Sequence, residues 1–263
     1  MIVDGKKLAA EIYSETAERV SALSRVPVLV AITCAPNFET QKYLQLKMQK
    51  AKEVGITLRV VELPPHITTE DAINCVNAVH GEADGIVVQL PFPLHIDRER
   101  LLAAVPSEKD PDGFSYGEVI GACLPPVVGA IDEISKRHGI SFDKKRVVVL
   151  GQGRLVGNPA ARFLRAAGAA VEAFSETDEV TRAALKNAEI IVTGIGKAHF
   201  VTPEMVREDI VVFDAGTSED GGVVVGDVHP SVAAKSVLFT PVPGGIGPIT
   251  VALLLRNLVS LIK

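Results

Sequence analysis

The feature that most limits how this chain can fold is an alternation that runs twice along it. In the first series, helical periodicity covers Gly5–Leu23, Gln41–Val54 and Glu70–Ala78. Short β-branched runs lie between and after these stretches, at Pro27–Thr33, Ile56–Leu63 and Gly85–Leu90. The second series opens at Lys145–Gly153 (KRVVVLGQG) and continues with Ala169–Phe174, Ala188–Gly194, Asp209–Gly216 and Ser236–Val242. A strand–helix rhythm of this kind predicts mostly parallel sheets with helices on both faces. At 263 residues, two α/β domains are expected. Their boundary is expected near Cys123–Pro126, where a proline pair precedes a helical pattern. The closing stretch, Pro248–Ile262, reads as a helix apolar on most faces and is expected to be buried against the first domain.

Composition excludes several classes of partner. Lys+Arg is 27 against Asp+Glu 32, a net charge of -5 without long runs of one sign, so no nucleic-acid footprint is present. Cys34, Cys75 and Cys123 are far apart and have no metal-ligand spacing, so free thiols in a reducing compartment and no metal are expected. The opening MIVDGKKLAAEIYSE has no apolar core of a signal peptide, and the apolar run at Val251–Leu255 is too short to span a bilayer. A cytoplasmic protein is expected.

VVVLGQGRLVGNPAARFLRAAGA reads as strand, glycine turn and helix. Gly151, Gly153 and Gly157 form G-x-G-x-x-x-G, one residue longer than the commonest dinucleotide fingerprint. Such a turn lets backbone approach a pyrophosphate at a helix N-terminus. The next strand ends in AFSETDE, where Glu176, Asp178 and Glu179 would repel a 2'-phosphate and suit a free ribose diol. A solvated acidic turn is an equally ordinary reading, and Arg154 is the nearest cation in sequence.

Candidate chemistry sits in the first domain. Tyr43 and Lys47 are four residues apart and share a helix face. Gln89 closes an apolar strand beside a Pro-x-Pro turn, where parallel sheets place ligands. Asp112 lies in a Pro-Asp-Gly turn. Near the end, TPVPGGIGPIT (Thr240–Thr250) packs three prolines and three glycines ahead of the last helix. Prolines remove backbone freedom and glycines permit close approach, so this loop presents a preset backbone.

In order, Tyr43-x3-Lys47, VQLPFP, KDPDGF, GQGRLVGNP, GDV and TPVPGGIGPIT resemble the bifunctional methylenetetrahydrofolate dehydrogenase/methenyltetrahydrofolate cyclohydrolase family of one-carbon metabolism, over about Asp4–Asn257. The resemblance implies an α/β protein of two domains. One is an N-terminal folate-binding catalytic domain, residues 1–124 with about 248–263. The other, 125–247, is a Rossmann-type doubly wound parallel sheet, and the C-terminal helix returns to the first domain. Folate would lie in the cleft between them, and a homodimer is implied. By resemblance Lys47 is the catalytic lysine of the hydrolase step and Gln89 holds and tunes it. Tyr43 packs on the folate rings, and Asp112 binds the pterin edge. Leu90, Pro241, Gly244 and Gly245 complete the substrate side. Gly151, Gln152, Gly153, Arg154, Val156, Gly157, Glu176, Gly194, Thr217 and Pro243 form the cofactor side.

The sequence also departs from the family. Gln152 and Gly153 stand where an arginine and a serine are common. The segment after DGF is shorter, ACLPPVVG replaces the usual Pro-Cys-Thr-Pro turn, and DAGT replaces DVGI. The resemblance favours NADP, whereas the local residues favour NAD. Three alternatives remain at this stage: a cyclohydrolase that has lost the dehydrogenase, a non-catalytic folate or nucleotide binder, and a small hydroxy-acid dehydrogenase, which would not explain VQLPFP.

Overall fold

The computed structural model describes residues 1–175 and 177–262. In chain order the first elements are α1 (Gly5–Ser21), β1 (Val28–Cys34), α2 (Phe38–Glu53), β2 (Thr57–Leu63), α3 (Thr69–Val79), β3 (Gly85–Val88) and α4 (Arg98–Ala103). They are followed by α5 (Pro126–His138), β4 (Arg146–Leu150), α6 (Gly157–Ala166), β5 (Ala170–Phe174), α7 (Glu179–Asn187), β6 (Ile190–Thr193) and β7 (Ile210–Asp214). A short hairpin, β8 (Ser218–Asp220) and β9 (Val223–Val225), precedes β10 (Ser236–Phe239) and α8 (Ile246–Leu261). The sequence pattern missed α4, α7 and the hairpin. It also started α2 three residues late, because the signal there is a cap: the Asn37 side chain accepts from the Thr40 N–H at 2.8 Å. No helix among the described residues is long and apolar enough to cross a membrane.

The chain separates into two compact units, Ala10–Leu124 with Val251–Lys263, and Met1–Ala9 with Pro125–Thr250. The first has a parallel three-stranded sheet in the order β2-β1-β3. Leu29, Ala31 and Val87 on one face pack with Leu44 and Ala51 of α2 and with Leu254, Leu255 and Leu258 of α8. Leu255 and Leu258 are fully buried, and each such side chain contributes about 1.5–3 kcal/mol. This burial explains why the last helix is apolar nearly all round. Val30, Ile32, Ile86 and Val88 face the opposite way, onto a core with Val76, Leu101 and Leu102.

The second unit holds a parallel five-stranded sheet, β10-β7-β6-β4-β5. The chain leaves β4 to one side for β5 and then returns to the other side for β6. The ends of β4 and β6 therefore flank a topological switch point, the place where such sheets bind ligands. The first nine residues, expected with the first domain, group with this unit. Val3 N–H donates to Phe239 O, and Gly5 N–H to Gly244 O, both at 2.9 Å.

Candidate active site

The buried stripe of α2 is Thr40, Leu44, Lys47 and Ala51, so Lys47 occupies a position that periodicity reserves for apolar residues. It is only 5% exposed. Its Nζ donates to Gln89 Oε1 at 2.9 Å and lies 4.7 Å from the centroid of the Tyr43 ring. Tyr43 itself is exposed. Gln89 follows β3, and its N–H donates to Ile32 O at 2.8 Å, extending the β1–β3 ladder by one residue. Its Nε2 donates to Leu90 O at 3.0 Å, ahead of the cis Leu90–Pro91 peptide. Both ends of the amide are thus engaged, and its oxygen faces an ammonium. A hydrogen bond from a charged donor is roughly twice as strong as a neutral one. On the far side, Tyr13 of α1 has its phenol pushed up by burial and then by Tyr43.

Asp112 sits half-buried in the turn that Asp110 and Pro111 start and Gly113, at φ 68°, finishes. Burial pushes its carboxyl up to about 6, against the pull of Lys47 and with a push from Asp110. Asp110 accepts from Ser115 N–H and Oγ, both at 3.0 Å. Asn257 of α8 donates to Pro111 O and Leu124 O at 2.9 Å, anchoring the turn. One unit therefore joins an exposed aromatic face, a buried lysine held by an amide, and a carboxyl whose pKa burial raises. That set can stack a flat ring, accept hydrogen bonds from its polar edge and move a proton.

The glycine turn belongs to the other unit. Gly151 follows β4 at φ 94°, and its N–H donates to Phe174 O at 2.7 Å. A Cβ on Gly157 would lie 1.8 Å from Gly151 O, and one on Gly194 would lie 2.8 Å from Val156 Cγ1. These four residues thus form one close-packed switch point, with α6 opening at Gly157. Gly153 instead has open space around it. A turn this tight, with an open glycine before a helix N-terminus, fits a dinucleotide's pyrophosphate.

The acidic stretch after β5 opens a helix. Asp178 caps α7, accepting from Thr181 N–H at 2.9 Å and Thr181 Oγ1 at 3.0 Å, and Glu179 lies in the first helical turn. A helix start explains why these two acids stand here, and the hydrogen bonds of the cap keep Asp178 ionised. Glu176 lies outside the described residues. Gln152 Nε2 donates to Ala173 O at 3.1 Å, and Lys197 Nζ donates to Thr177 Oγ1 at 2.8 Å.

Sequence reasoning assigned no role to two buried carboxylates. Asp227, in the GDV motif, accepts from Thr193 Oγ1 at 2.7 Å and from the Ile195 and Lys197 N–H groups at 2.8 Å. Asp214 accepts from Gly216 and Val228 N–H at 2.9 Å. Burial pushes Asp214 up to about 7; Val228 N–H pulls it down and Asp227 adds to the rise. Side chains on Gly216 or Gly226 would strike these carboxylates at 2.1 Å. The signal for them was an Asp ending a β-branched strand and an Asp beside a glycine.

The loop at Thr240–Gly245 has a cis Val242–Pro243 peptide, Gly244 at φ 109° and a Gly245 N–H bond to Pro241 O at 2.7 Å. Tyr43, Lys47, Gln89, Leu90 and Asp112 therefore share one unit. Gly151, Gln152, Gly153, Arg154, Val156, Gly157, Gly194, Thr217 and Pro243 share the other, as do Pro241, Gly244 and Gly245 from the expected substrate side.

Residues 3–112 match the catalytic domain, and 125–263 the NAD(P)-binding domain, described as tetrahydrofolate dehydrogenase/cyclohydrolase. The bifunctional protein FolD of Mycoplasmopsis synoviae is 34% identical over 278 residues, covering 100% of this chain and 99% of its own. The crystal structure of the bifunctional enzyme FolD from Campylobacter jejuni superposes with a TM-score of 0.94 at 32% identity, covering 99% of this chain and 98% of that one. The Trypanosoma brucei enzyme, solved with NADP cofactor and inhibitor, gives 0.90 at 31% identity, covering 99% and 96%.

Proposed function

The chain belongs to the tetrahydrofolate dehydrogenase/cyclohydrolase family, and from that premise we propose how its own residues carry the two activities. It is an oxidoreductase and a hydrolase. It oxidises 5,10-methylenetetrahydrofolate to the 5,10-methenyl form with NAD(P), and it hydrolyses that product to 10-formyltetrahydrofolate. The observation that carries the assignment of residues is the buried Lys47 ammonium, held by Gln89 Oε1 at 2.9 Å beside the Tyr43 ring. The direct experiment supplies each folate form separately and follows reduced dinucleotide and loss of the methenyl form. The intact glycine packing at Gly151, Gly157 and Gly194 supports a retained dehydrogenase over a hydrolase alone.

The exposed Tyr43 ring stacks on the folate ring system, and Asp112 accepts hydrogen bonds from the pterin amino and ring N–H groups. Hydrolysis adds water to the methenyl carbon, so a proton must leave that water and another must reach the departing ring nitrogen. Lys47 Nζ moves the proton, and Gln89 fixes where Nζ can stand. Gly151, Gly153 and Gly157 receive the pyrophosphate, with Gly194, Val156, Thr217 and Pro243 lining the rest of the dinucleotide site. A bound nicotinamide supplies the hydride acceptor. Leu90 completes the folate side within its own unit, and the working assembly is a homodimer, which sedimentation equilibrium tests.

Asp112→Asn is expected to weaken folate binding while leaving dinucleotide binding unchanged. A charged hydrogen bond lost at such a site costs roughly 1.5–3 kcal/mol, or about 10- to 150-fold in Kd. The pH dependence has a definite sign. The accepting form is the carboxylate, and its pKa is raised to about 6. Folate affinity should hold from pH 8 to 7 and then fall by up to about tenfold per unit below pH 6. The Asn variant should lack that limb. Titration of both proteins with a folate analogue from pH 5 to 8 decides it, and unchanged affinity in Asp112→Asn would remove Asp112 from the site.

For the choice between dinucleotides we propose that NAD serves at least as well as NADP. Gln152 stands where an arginine is common, and its amide is engaged by Ala173 O. Gly153 offers no hydroxyl, and Glu176 is the acidic residue that sequence places at the ribose. Lys197, bonded to Thr177, contributes the positive charge that lets NADP be tolerated. Lys197→Met should lower kcat/KM for NADP roughly threefold or more, with little change for NAD. A parent enzyme that prefers NADP by about tenfold, worth about 1.4 kcal/mol, would contradict this choice.

A further inference from the structure

Thr33 is the last residue but one of β1, at 0% exposure, and its Oγ1 has no hydrogen-bond partner among the described residues. Buried hydroxyls are nearly always bonded, so one left single calls for a reason. Its neighbours follow from register. Ala31 pairs with Val87 and Ile32 with Val88, and the Gln89 N–H bond to Ile32 O carries the ladder one step further. Thr33 is therefore beside Gln89 on the adjacent strand, about 4.8 Å away between backbones. Alternation places both on the face that Ala31 and Val87 turn toward α2, the helix that carries Lys47. On the other flank Thr33 pairs with Glu62, whose side chain is exposed and hydrated. The half-buried polar neighbour is the Gln89 amide.

We infer that Thr33 is a positioning residue for the Gln89–Lys47 pair, its hydroxyl taking the Gln89 oxygen when Lys47 turns to the substrate. In the resting arrangement that oxygen accepts from Lys47 Nζ, and Nε2 is engaged by Leu90 O. When Nζ leaves to move a proton, the half-buried amide oxygen would lose the donor it has in the resting state. An amide that lost its only donor would swing, and the lysine would return to a displaced partner. The Thr33 O–H fills that interval and keeps the amide in register. In the resting state the hydroxyl is single and the Gln89 oxygen is turned to Lys47. This inference rests on the roles proposed above for Lys47 and Gln89.

The test uses the full chain carrying Thr33→Val, Thr33→Ser or Lys47→Met. Measured are kcat and KM for hydrolysis of supplied methenyltetrahydrofolate, the dehydrogenase rate, and the thermal midpoint. Valine has nearly the same shape and removes a buried unsatisfied hydroxyl, so its thermal midpoint should be equal to the parent's or higher. Its hydrolytic kcat should nevertheless fall about tenfold, the effect of one lost hydrogen bond, with KM and the dehydrogenase rate near the parent values. Thr33→Ser should restore kcat. A residue with only a packing role would lower stability and leave kcat alone. Hydrolysis by Thr33→Val within about twofold of the parent, or a Ser variant as slow as Val, would overturn the inference at a precision of about 0.4 kcal/mol. If Lys47→Met alone is inactive, only the Thr33 role fails; if Lys47→Met hydrolyses like the parent, the underlying roles fail as well.

Discussion

Lys47→Met is expected to lose methenyltetrahydrofolate hydrolysis by ~10²–10⁴-fold, the usual worth of a positioned acid–base group. Methionine keeps the apolar stem and fills the buried stripe of α2, so the helix should remain. What it removes is the Nζ that reaches Gln89 Oε1 at 2.9 Å. The amide oxygen then loses that charged donor, and the Thr33 hydroxyl is left to hold it. Hydride transfer needs no proton from this lysine, so the dehydrogenase step should persist and the methenyl form should accumulate. Hydrolysis of supplied methenyltetrahydrofolate, with circular dichroism as a check on folding, measures the effect. Activity within about twofold of the parent would remove Lys47 from acid–base work.

Gly157→Ala should act on the other activity. A Cβ there would lie 1.8 Å from Gly151 O and 2.5 Å from Gly151 C, both backbone atoms. No side chain can move to relieve that overlap, so the turn between β4 and α6 must open by more than an ångström. Misplacement on that scale costs on the order of 10²-fold in a reacting geometry. Dinucleotide binding and the dehydrogenase rate should fall by at least that much, while hydrolysis of supplied methenyl substrate stays near the parent rate. Gly153→Ala is the control, because nothing lies within 4 Å of its Cβ position. It should fold like the parent and affect only how closely a pyrophosphate can approach. A dinucleotide titration in which Gly157→Ala binds like the parent would contradict the assignment of this turn.

Much of the architecture was legible because it follows from period. The β-branched runs at Val28–Cys34 and Arg146–Leu150 are buried strands, and the apolar closing helix is one whose leucines are buried on several sides. What escaped was set by capping and by short-range geometry. Phe38 begins α2 because Asn37 caps it, and the acids at 178 and 179 begin α7. Read only as charges, those acids suggested phosphate repulsion.

In the site, Tyr43 and Lys47 could be paired from helical spacing, and Gln89 from its place at a strand end. That Lys47 would be nearly sealed from water was not legible, since only packing decides how deep a lysine sits. The buried carboxylates Asp214 and Asp227 were missed for the same reason: their partners are the Thr193 hydroxyl and backbone N–H groups from three separate loops, which no local pattern announces. Thr33 looked like an ordinary β-strand residue until register placed it beside Gln89.

One chain runs both reactions. The measurement that tests it most directly is a single spectrophotometric assay of the purified protein with 5,10-methylenetetrahydrofolate and either NAD or NADP, read beside Lys47→Met. Reduced dinucleotide and 10-formyltetrahydrofolate should appear together in the parent, and in the variant reduced dinucleotide should form while the methenyl product accumulates. Absence of reduced dinucleotide with both cofactors, or a variant that yields 10-formyltetrahydrofolate as fast as the parent, would contradict it.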